Sequence, residues 1–361
     1  MRFLSIKKIA KEAGVSTATV SRVLNNPGYK CSSEELRERI WKIARELNYM
    51  PNEAARNLKK GITDTSQKVW YLDVLMTRTG NLETDPFFSE LLRVIESEIH
   101  RQGCILMHIF HQPLFSNDRK CRTENIDKVI AQMEPDGDIR SDGLIIIGKC
   151  NDNVLKKLSA KYRSIVSVNR NSTNYLVDEV ICDGKRIAAM AVEYLIGLGH
   201  RKIGYVGDCH NESRYKGYQD TLFQYGIDMD ISFVIEAEHT EAEGYAVMER
   251  LIQRGDAPTA IYCANDMIAI GMLKCLNKYK NRYYVPSIIS SDDIEEAQYT
   301  RPMLTTVCLP KEEMGKFALY LLIDRLSGGH KGIVRTELEG KLMIRESCTL
   351  VENANRMEYY I

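Results

Sequence analysis

A chain of 361 residues, 44% hydrophobic and 27% charged, exceeds one small domain and has a globular composition with room for a sizeable core. No apolar run reaches the roughly 18 residues that a membrane helix needs, and residues 1–13 alternate basic and apolar positions without a signal-peptide core. The ten cysteines are scattered and form no C-x-x-C, which excludes a zinc ribbon or redox motif and predicts reduced thiols in a cytoplasmic protein. The formal net charge of zero hides an asymmetry. Residues 1–60 hold 13 Lys and Arg against 6 Asp and Glu, a net of +7, and the remainder holds 36 against 43, a net of −7. A small basic head on a larger acidic body is the pattern of a phosphate-binding module joined to something else.

The head reads as three short helices with one shared apolar side. Ser5 suits the cap of a first helix carrying Ile6, Ile9, Ala10 and Ala13, which Gly14 ends. A second stretch runs over 16–24 with Val20, Val23 and Leu24 apolar, followed by a turn of Asn25, Asn26, Pro27 and Gly28. Ser32 and Glu35 have capping-box spacing before a third helix with Leu36, Ile40, Ile43, Ala44 and Leu47 on one face. The first two helices, joined at Ala13-Gly14-Val15, have the layout of a helix-turn-helix. A flexible turn residue is flanked by apolar positions, and the second helix exposes small polar side chains. Its outward face carries Thr17, Ala18 and Arg22, with Ser16, Thr19 and Ser21 placed for phosphate contacts. Next comes a short segment, 51–58 (PNEAARNL), with Pro51 suited to a helix start and Gly61 to its end. Eight residues are too few for an isolated helix in water, so this segment is ordered only when something holds it.

From about residue 69 to 350 the chain alternates strand-like and helix-like segments. Strands are expected at 69–76, 104–110, 143–147, 165–168, 202–207, 259–264 and 305–309. Amphipathic helices are expected at 88–101, 185–198, 215–225, 240–254 and 268–279. This alternation predicts parallel sheets covered by helices on both faces, and its length suits two lobes better than one. The tail, 351–361, has no leucine heptad and predicts no coiled-coil tetramer. His108 and His111 at a strand end lack companion ligands and read as surface residues rather than a metal pair. His200 reads as structural. There is no G-x-G-x-x-G after an early strand and no G-x-S-x-G elbow, so no cofactor, metal or catalytic residue is expected.

Residues 6–26 (IKKIAKEAGVSTATVSRVLNN) closely resemble the headpiece of the LacI/GalR family of bacterial regulators. The resemblance continues through 34–39 (EELRER), 44–49 (ARELNY) and 51–58. In the body it continues through Asp85-Pro86-Phe87-Phe88, 142–146 (DGLII), 198–203 (LGHRKI), 265–271 (NDMIAIG) and 302–307 (PMLTTV), and so covers nearly the whole chain.

The resemblance implies an all-α helix-turn-helix headpiece (1–50), a hinge helix and linker (51–68), and an effector-binding and dimerisation domain (69–350). That domain has two doubly wound parallel-sheet lobes of periplasmic-binding-protein type. The implied partners are a double-stranded pseudo-palindromic operator, a second copy of the chain and a small-molecule effector such as a carbohydrate or related metabolite. Most relatives repress and are released by ligand; a minority need ligand to bind DNA. The implied DNA-contacting residues are Ser16, Thr17, Ala18, Thr19, Ser21, Arg22 and Asn25, with Leu58 wedging into the central base step and Asn52 and Ala55 beside it. The implied effector residues are Asp85, Phe87, Phe88, Arg170, Arg214, Asp266 and Asp292, at the carboxyl ends of strands where open sheets bind ligands. The chain departs from the family in having Ser290-Ser291 before Asp292-Asp293, Asn169 before Arg170, a short 283–291 segment, and unusual spacing at 77–84 and 111–124. The rival reading is a cytoplasmic small-molecule sensor without DNA-binding activity.

Overall fold

The computed structural model describes residues 6–25, 33–46, 68–78, 85–116, 120–133, 140–169, 171–210, 212–279 and 284–353. The chain divides into two compact units, Met1–Lys68 and Val69–Ile361.

The first unit holds three helices, α1 (Ile6–Ala13), α2 (Thr17–Asn25) and α3 (Glu34–Glu46). Their apolar positions meet in a core of Ile9, Ala10, Ala13, Val20, Val23, Ile40 and Ile43, with Val15 and Leu36 packed against it. Gly14 takes a left-handed φ of 69° between α1 and α2, a conformation that costs a side-chain-bearing residue energy. The cap of α3 differs from the expected box: Ser33 Oγ accepts from the Leu36 amide at 3.2 Å. Ser33, one residue after the expected Ser32, therefore satisfies an orphan amide of the first turn. Ser5, Ser32, the turn after Asn25 and the 51–58 segment lie outside the described residues.

The second unit contains two six-stranded sheets. Lobe 1 has β1 (Tyr71–Met76), β2 (Ile105–His111), β3 (Gly143–Ile147), β4 (Ser164–Asn169), β5 (Asp178–Ile181) and β11 (Arg335–Glu337) in the order β11-β5-β4-β3-β1-β2, with every pair parallel. Lobe 2 repeats the plan with β6 (Ile203–Gly207), β7 (Val234–Glu236), β8 (Ala260–Cys263), β9 (Ser287–Asp292), β10 (Thr305–Cys308) and an antiparallel β12 (Lys341–Met343) in the order β12-β10-β9-β8-β6-β7. In each lobe the order reverses beside the first strand, the place at which open parallel sheets bind ligands.

Every strand expected between residues 69 and 350 is present to within two residues at either end, as is each helix expected there. The first lobe-1 helix shows why: Asp85 caps it, Pro86 stands in its first turn, and Phe87, Phe88, Leu91, Ile95 and Ile99 recur on the buried face. Full burial of each such side chain is worth about 1.5–3 kcal/mol. The helix Lys311–Ser327 escaped the expected alternation because it follows β10 of lobe 2 yet packs on lobe 1, against Pro86–Arg101 and β4. The chain thus passes between lobes three times, after β5, after β10 and between β11 and β12. In lobe 2 the helices Glu241–Ile252 and Asp266–Tyr279 touch backbone to backbone. A Cβ at Gly244 would sit 2.0 Å from the Ile268 carbonyl oxygen, and one at Gly271 would sit 2.0 Å from that of Glu241. At the start of the expected tail, Val351–Asn353 forms a short helical turn, and the Val351 amide donates to the Leu198 carbonyl at 3.0 Å.

His200 is fully buried, with Nδ1 3.0 Å from Thr259 Oγ1 and Nε2 3.1 Å from Ser287 Oγ and 3.0 Å from the Thr349 carbonyl, which makes it the structural residue expected. His108 is no plain surface residue. Its Nδ1 lies 3.0 Å from Oδ1 of buried Asp73, whose other oxygen accepts from Tyr162 Oη at 2.8 Å.

Candidate functional site

The headpiece exposes one face of α2. Ser16 caps the helix: its Oγ accepts from the Thr19 amide at 3.1 Å and lies 2.9 Å from Thr19 Oγ1. Both hydroxyls therefore stand at the amino end of α2, where partial positive charge favours an anion. Thr17 and Arg22 are exposed, whereas Val20 and Val23 on the opposite face are buried. Thr17 and Arg22 lie about 140° apart around the helix, on the two flanks of the face turned away from Val20 and Val23, so the core fixes which side chains point outward. Arg39 of α3 donates to the Glu12 carbonyl at 3.4 Å and ties the third helix to the first. The side chains of Ala18, Ser21 and Asn25, and all of Asn52, Ala55 and Leu58, lie outside the described residues.

In the two-lobed unit the described candidates for effector contact lie on the segments that follow β1, β6 and β8 or at the end of β9, and they are employed differently from one another. Asp85 Oδ1 accepts from the Phe87 amide at 3.1 Å, so this carboxylate caps its helix. Phe87 and Phe88 are buried edge to face, with ring centres 5.2 Å apart. Lys311 crosses to them from the start of its helix. Its Nζ lies 5.8 Å from the Phe87 ring centre, pairs with Glu90 and donates to the Asp293 carbonyl at 3.0 Å. Arg170 lies outside the described residues.

Arg214 is 1% exposed; its Nε donates to Glu212 Oε1 at 2.9 Å and its Nη1 to the Ala264 carbonyl. Burial pushes the Glu212 carboxyl up, but the charge and hydrogen bond of Arg214 outweigh it and hold the group far below the usual carboxylate range. His239 and Arg78 lower it further. These two side chains bond across the cleft, Arg78 from the end of β1 in lobe 1 and His239 from the end of β7 in lobe 2. The Asn171 carboxamide of lobe 1 likewise accepts from the Ser213 amide of lobe 2 at 3.2 Å. Glu212, Arg78 and His239 were not singled out in the sequence. Glu212 had a signal in its position two residues before Arg214 at a helix start, whereas Arg78 and His239 meet only through the fold.

Asp266 has no exposed surface. Its Oδ1 accepts from Ser290 Oγ and from Thr306 Oγ1, each at 2.6 Å, and its Oδ2 from the Ile294 amide at 2.8 Å. All three donors belong to lobe 2, so the carboxylate braces the wall on which Asp292 stands and presents no atom to the cleft. Asp292 is 1% exposed at φ 130°, and Asp293, at φ 49°, bonds Arg345 Nη2 at 2.5 Å. The Ser290 that departs from the family pattern is thus a partner of Asp266.

Burial, then repulsion from Asp292, raises the Asp266 carboxyl to about 7 against the three hydrogen bonds. A carboxyl raised on folding keeps its proton in the native state after the unfolded chain has lost it. Stability from this group therefore falls as pH rises from about 4 to about 7. Asp266→Asn is expected to flatten that part of the pH–stability profile, measured as the thermal midpoint of the two proteins between pH 4.5 and 7.5. A parallel pair of profiles contradicts the assignment.

Two family models match the chain: bacterial regulatory proteins of the lacI family over residues 5–52, and the periplasmic binding protein-like domain over 192–348. Among curated relatives, the HTH-type transcriptional repressor MelR of Bacillus subtilis is 31% identical over 95% of this chain and 97% of its own length. The ribose operon repressor of Haemophilus influenzae is 30% identical over 95% and 98%. The solved lac repressor dimer bound to operator and the anti-inducer ONPF superposes with a TM-score of 0.65 at 23% identity, over 96% of this chain and 99% of that one. A CelR–cellobiose complex superposes with a TM-score of 0.64 at 23% identity, over 96% and 100%. A three-helix reading head, a two-lobed crevice and full-length kinship with named repressors converge: the chain belongs to the lacI family of bacterial regulatory proteins.

Proposed function

We propose that this chain is a transcriptional repressor that binds a pseudo-palindromic operator as a homodimer, with its affinity set by a small-molecule effector held between the lobes. The observation that carries this is the face of α2 opposite Val20 and Val23, flanked by exposed Thr17 and Arg22 and fixed by a closed apolar core. Ser16, Thr19 and Ser21 position the headpiece on phosphates. Thr17, Ala18, Arg22 and Asn25 face base edges in the major groove, Ala18 against a thymine methyl. Asn52, Ala55 and Leu58 of two hinges meet in the minor groove, where the paired leucines wedge apart the central step.

The effector, a carbohydrate or related metabolite, lies against Phe87, Phe88, Arg170, Arg214 and Asp292. Asp85 and Asp266 hold the frame rather than the ligand. Binding there displaces or reorders the cross-lobe contacts of Arg78 with His239 and of Asn171 with Ser213. A change in lobe angle then alters hinge spacing, and a segment too short to be helical alone orders or melts in response. No catalytic step is assigned, and the protein acts in the cytoplasm, where its operator lies.

Leu58→Ala tests the hinge. Loss of the wedge is expected to weaken operator binding in fluorescence anisotropy at least tenfold, leaving the thermal midpoint of the two-lobed unit unchanged. Undiminished affinity contradicts the role given to Leu58.

A further inference from the structure

One cavity of about 610 Å³ opens beside the inter-lobe cleft, a volume suited to a small-molecule site. Its walls carry the cations Arg122, Lys149, Lys185, Lys216 and Arg335 against the carboxylates Asp152 and Asp183. That is a net of +3, in a part of the chain whose residues beyond position 60 sum to −7. The cations are therefore concentrated against the background of the body. Both lobes supply them: Arg122, Lys149 and Arg335 come from lobe 1, and Lys185 and Lys216 from helices of lobe 2.

The backbone adds to this field. The helices Asp152–Ser159, Gly184–Gly197 and Ser213–Gln224 all begin at the cavity wall. Each contributes partial positive charge at its amino end. The carboxylate of Asp183 is committed to its own helix, accepting from the Lys185 amide at 3.0 Å. Lys185 Nζ bonds Asp220 at 2.8 Å, and Arg335 lies 3.2 Å from Glu337 and 3.8 Å from buried Glu179, so an incoming anion would compete with these carboxylates for the two cations. Among its described lining residues no aromatic ring offers a platform for the face of a neutral sugar.

We infer that this chamber takes a phosphoryl group, so that the effector is a phosphorylated small molecule whose dianion bridges Arg122 of lobe 1 and Lys216 of lobe 2. The inference rests on the two-lobed unit being the effector-binding domain. Bridging gives the ligand a direct hold on lobe angle, because an anion held by cations of both lobes favours the lobe arrangement that brings both to it.

The test is isothermal titration calorimetry of the full-length protein with inorganic pyrophosphate. Two matched pairs follow, ribose 5-phosphate against ribose and adenosine 5′-monophosphate against adenosine. Pyrophosphate is expected to bind, more weakly as salt rises, and at least one phosphorylated compound should exceed its parent; which pair shows the preference identifies a sugar or a nucleoside scaffold. The double variant Arg122→Gln/Lys216→Gln changes exposed side chains only and should weaken pyrophosphate roughly tenfold to a hundredfold at an unchanged thermal midpoint. Lys216→Gln alone provides an intermediate loss should the double variant fold poorly. No pyrophosphate binding, equal affinity in wild type and variants, or no preference for either phosphorylated compound overturns the inference. Operator binding by the same preparations is scored separately: operator binding without anion binding defeats the chamber alone, and anion binding without operator binding defeats the repressor reading alone.

Discussion

Arg22→Ala lowers operator affinity by about 2–6 kcal/mol in a dimer carrying two copies, roughly thirtyfold to more than ten-thousandfold, if each arginine makes a bidentate base contact. Arg22 is exposed, whereas Val23 beside it is buried and locks the helix rotation, so the loss is of contact rather than of fold. The variant should also relax preference at one base pair of each half-site. Exposed Lys8 supplies a contrast: Lys8→Ala should weaken all duplexes about equally and lessen the salt dependence. Anisotropy titrations on the operator and on single-base variants separate the two behaviours. An Arg22→Ala protein that binds as wild type with unchanged base preference removes Arg22 from the reading face.

Glu212→Gln is expected to cost the two-lobed unit about 3–5 kcal/mol, because it leaves the buried Arg214 guanidinium without its counter-charge. The pair is almost fully inaccessible, with Glu212 5% and Arg214 1% exposed. The second change Arg214→Met should restore part of the loss by removing the stranded charge, a coupling that separate contributions would not produce. Denaturant unfolding of the four proteins of the cycle measures it. The Glu212 contribution is present above the unfolded carboxylate range and disappears as pH falls through that range and below it, since its folded value is depressed. An additive cycle, with Glu212→Gln nearly neutral, contradicts the account of the pair.

The fold was legible wherever a local pattern decides the structure. The period of Ile9, Ala13, Val20 and Val23, the glycine at position 14 and the Asp85-Pro86 helix start each state their element within a few residues. Lys311–Ser327 was less legible, because which lobe it covers depends on a crossing that no local pattern records. The candidate site shows the same division. The family resemblance, with the positions of strand ends, offers Phe87, Arg214, Asp266 and Asp292 as candidates, but not how each is spent. That Asp266 serves Ser290, Thr306 and Ile294, and that Arg78 reaches His239 across the cleft, follows from contacts between positions far apart in the chain. The five cations of the basic chamber come from separate segments and form no motif at all.

The measurement that tests the central claim most directly is selection of bound sequences from a random duplex library by the purified full-length protein, with and without cell extract. The account predicts enrichment of a palindrome with two half-sites about one helical turn apart and a central C-G step, under at least one of the two conditions. No enrichment under either condition would contradict it and leave a small-molecule sensor whose headpiece does not read DNA.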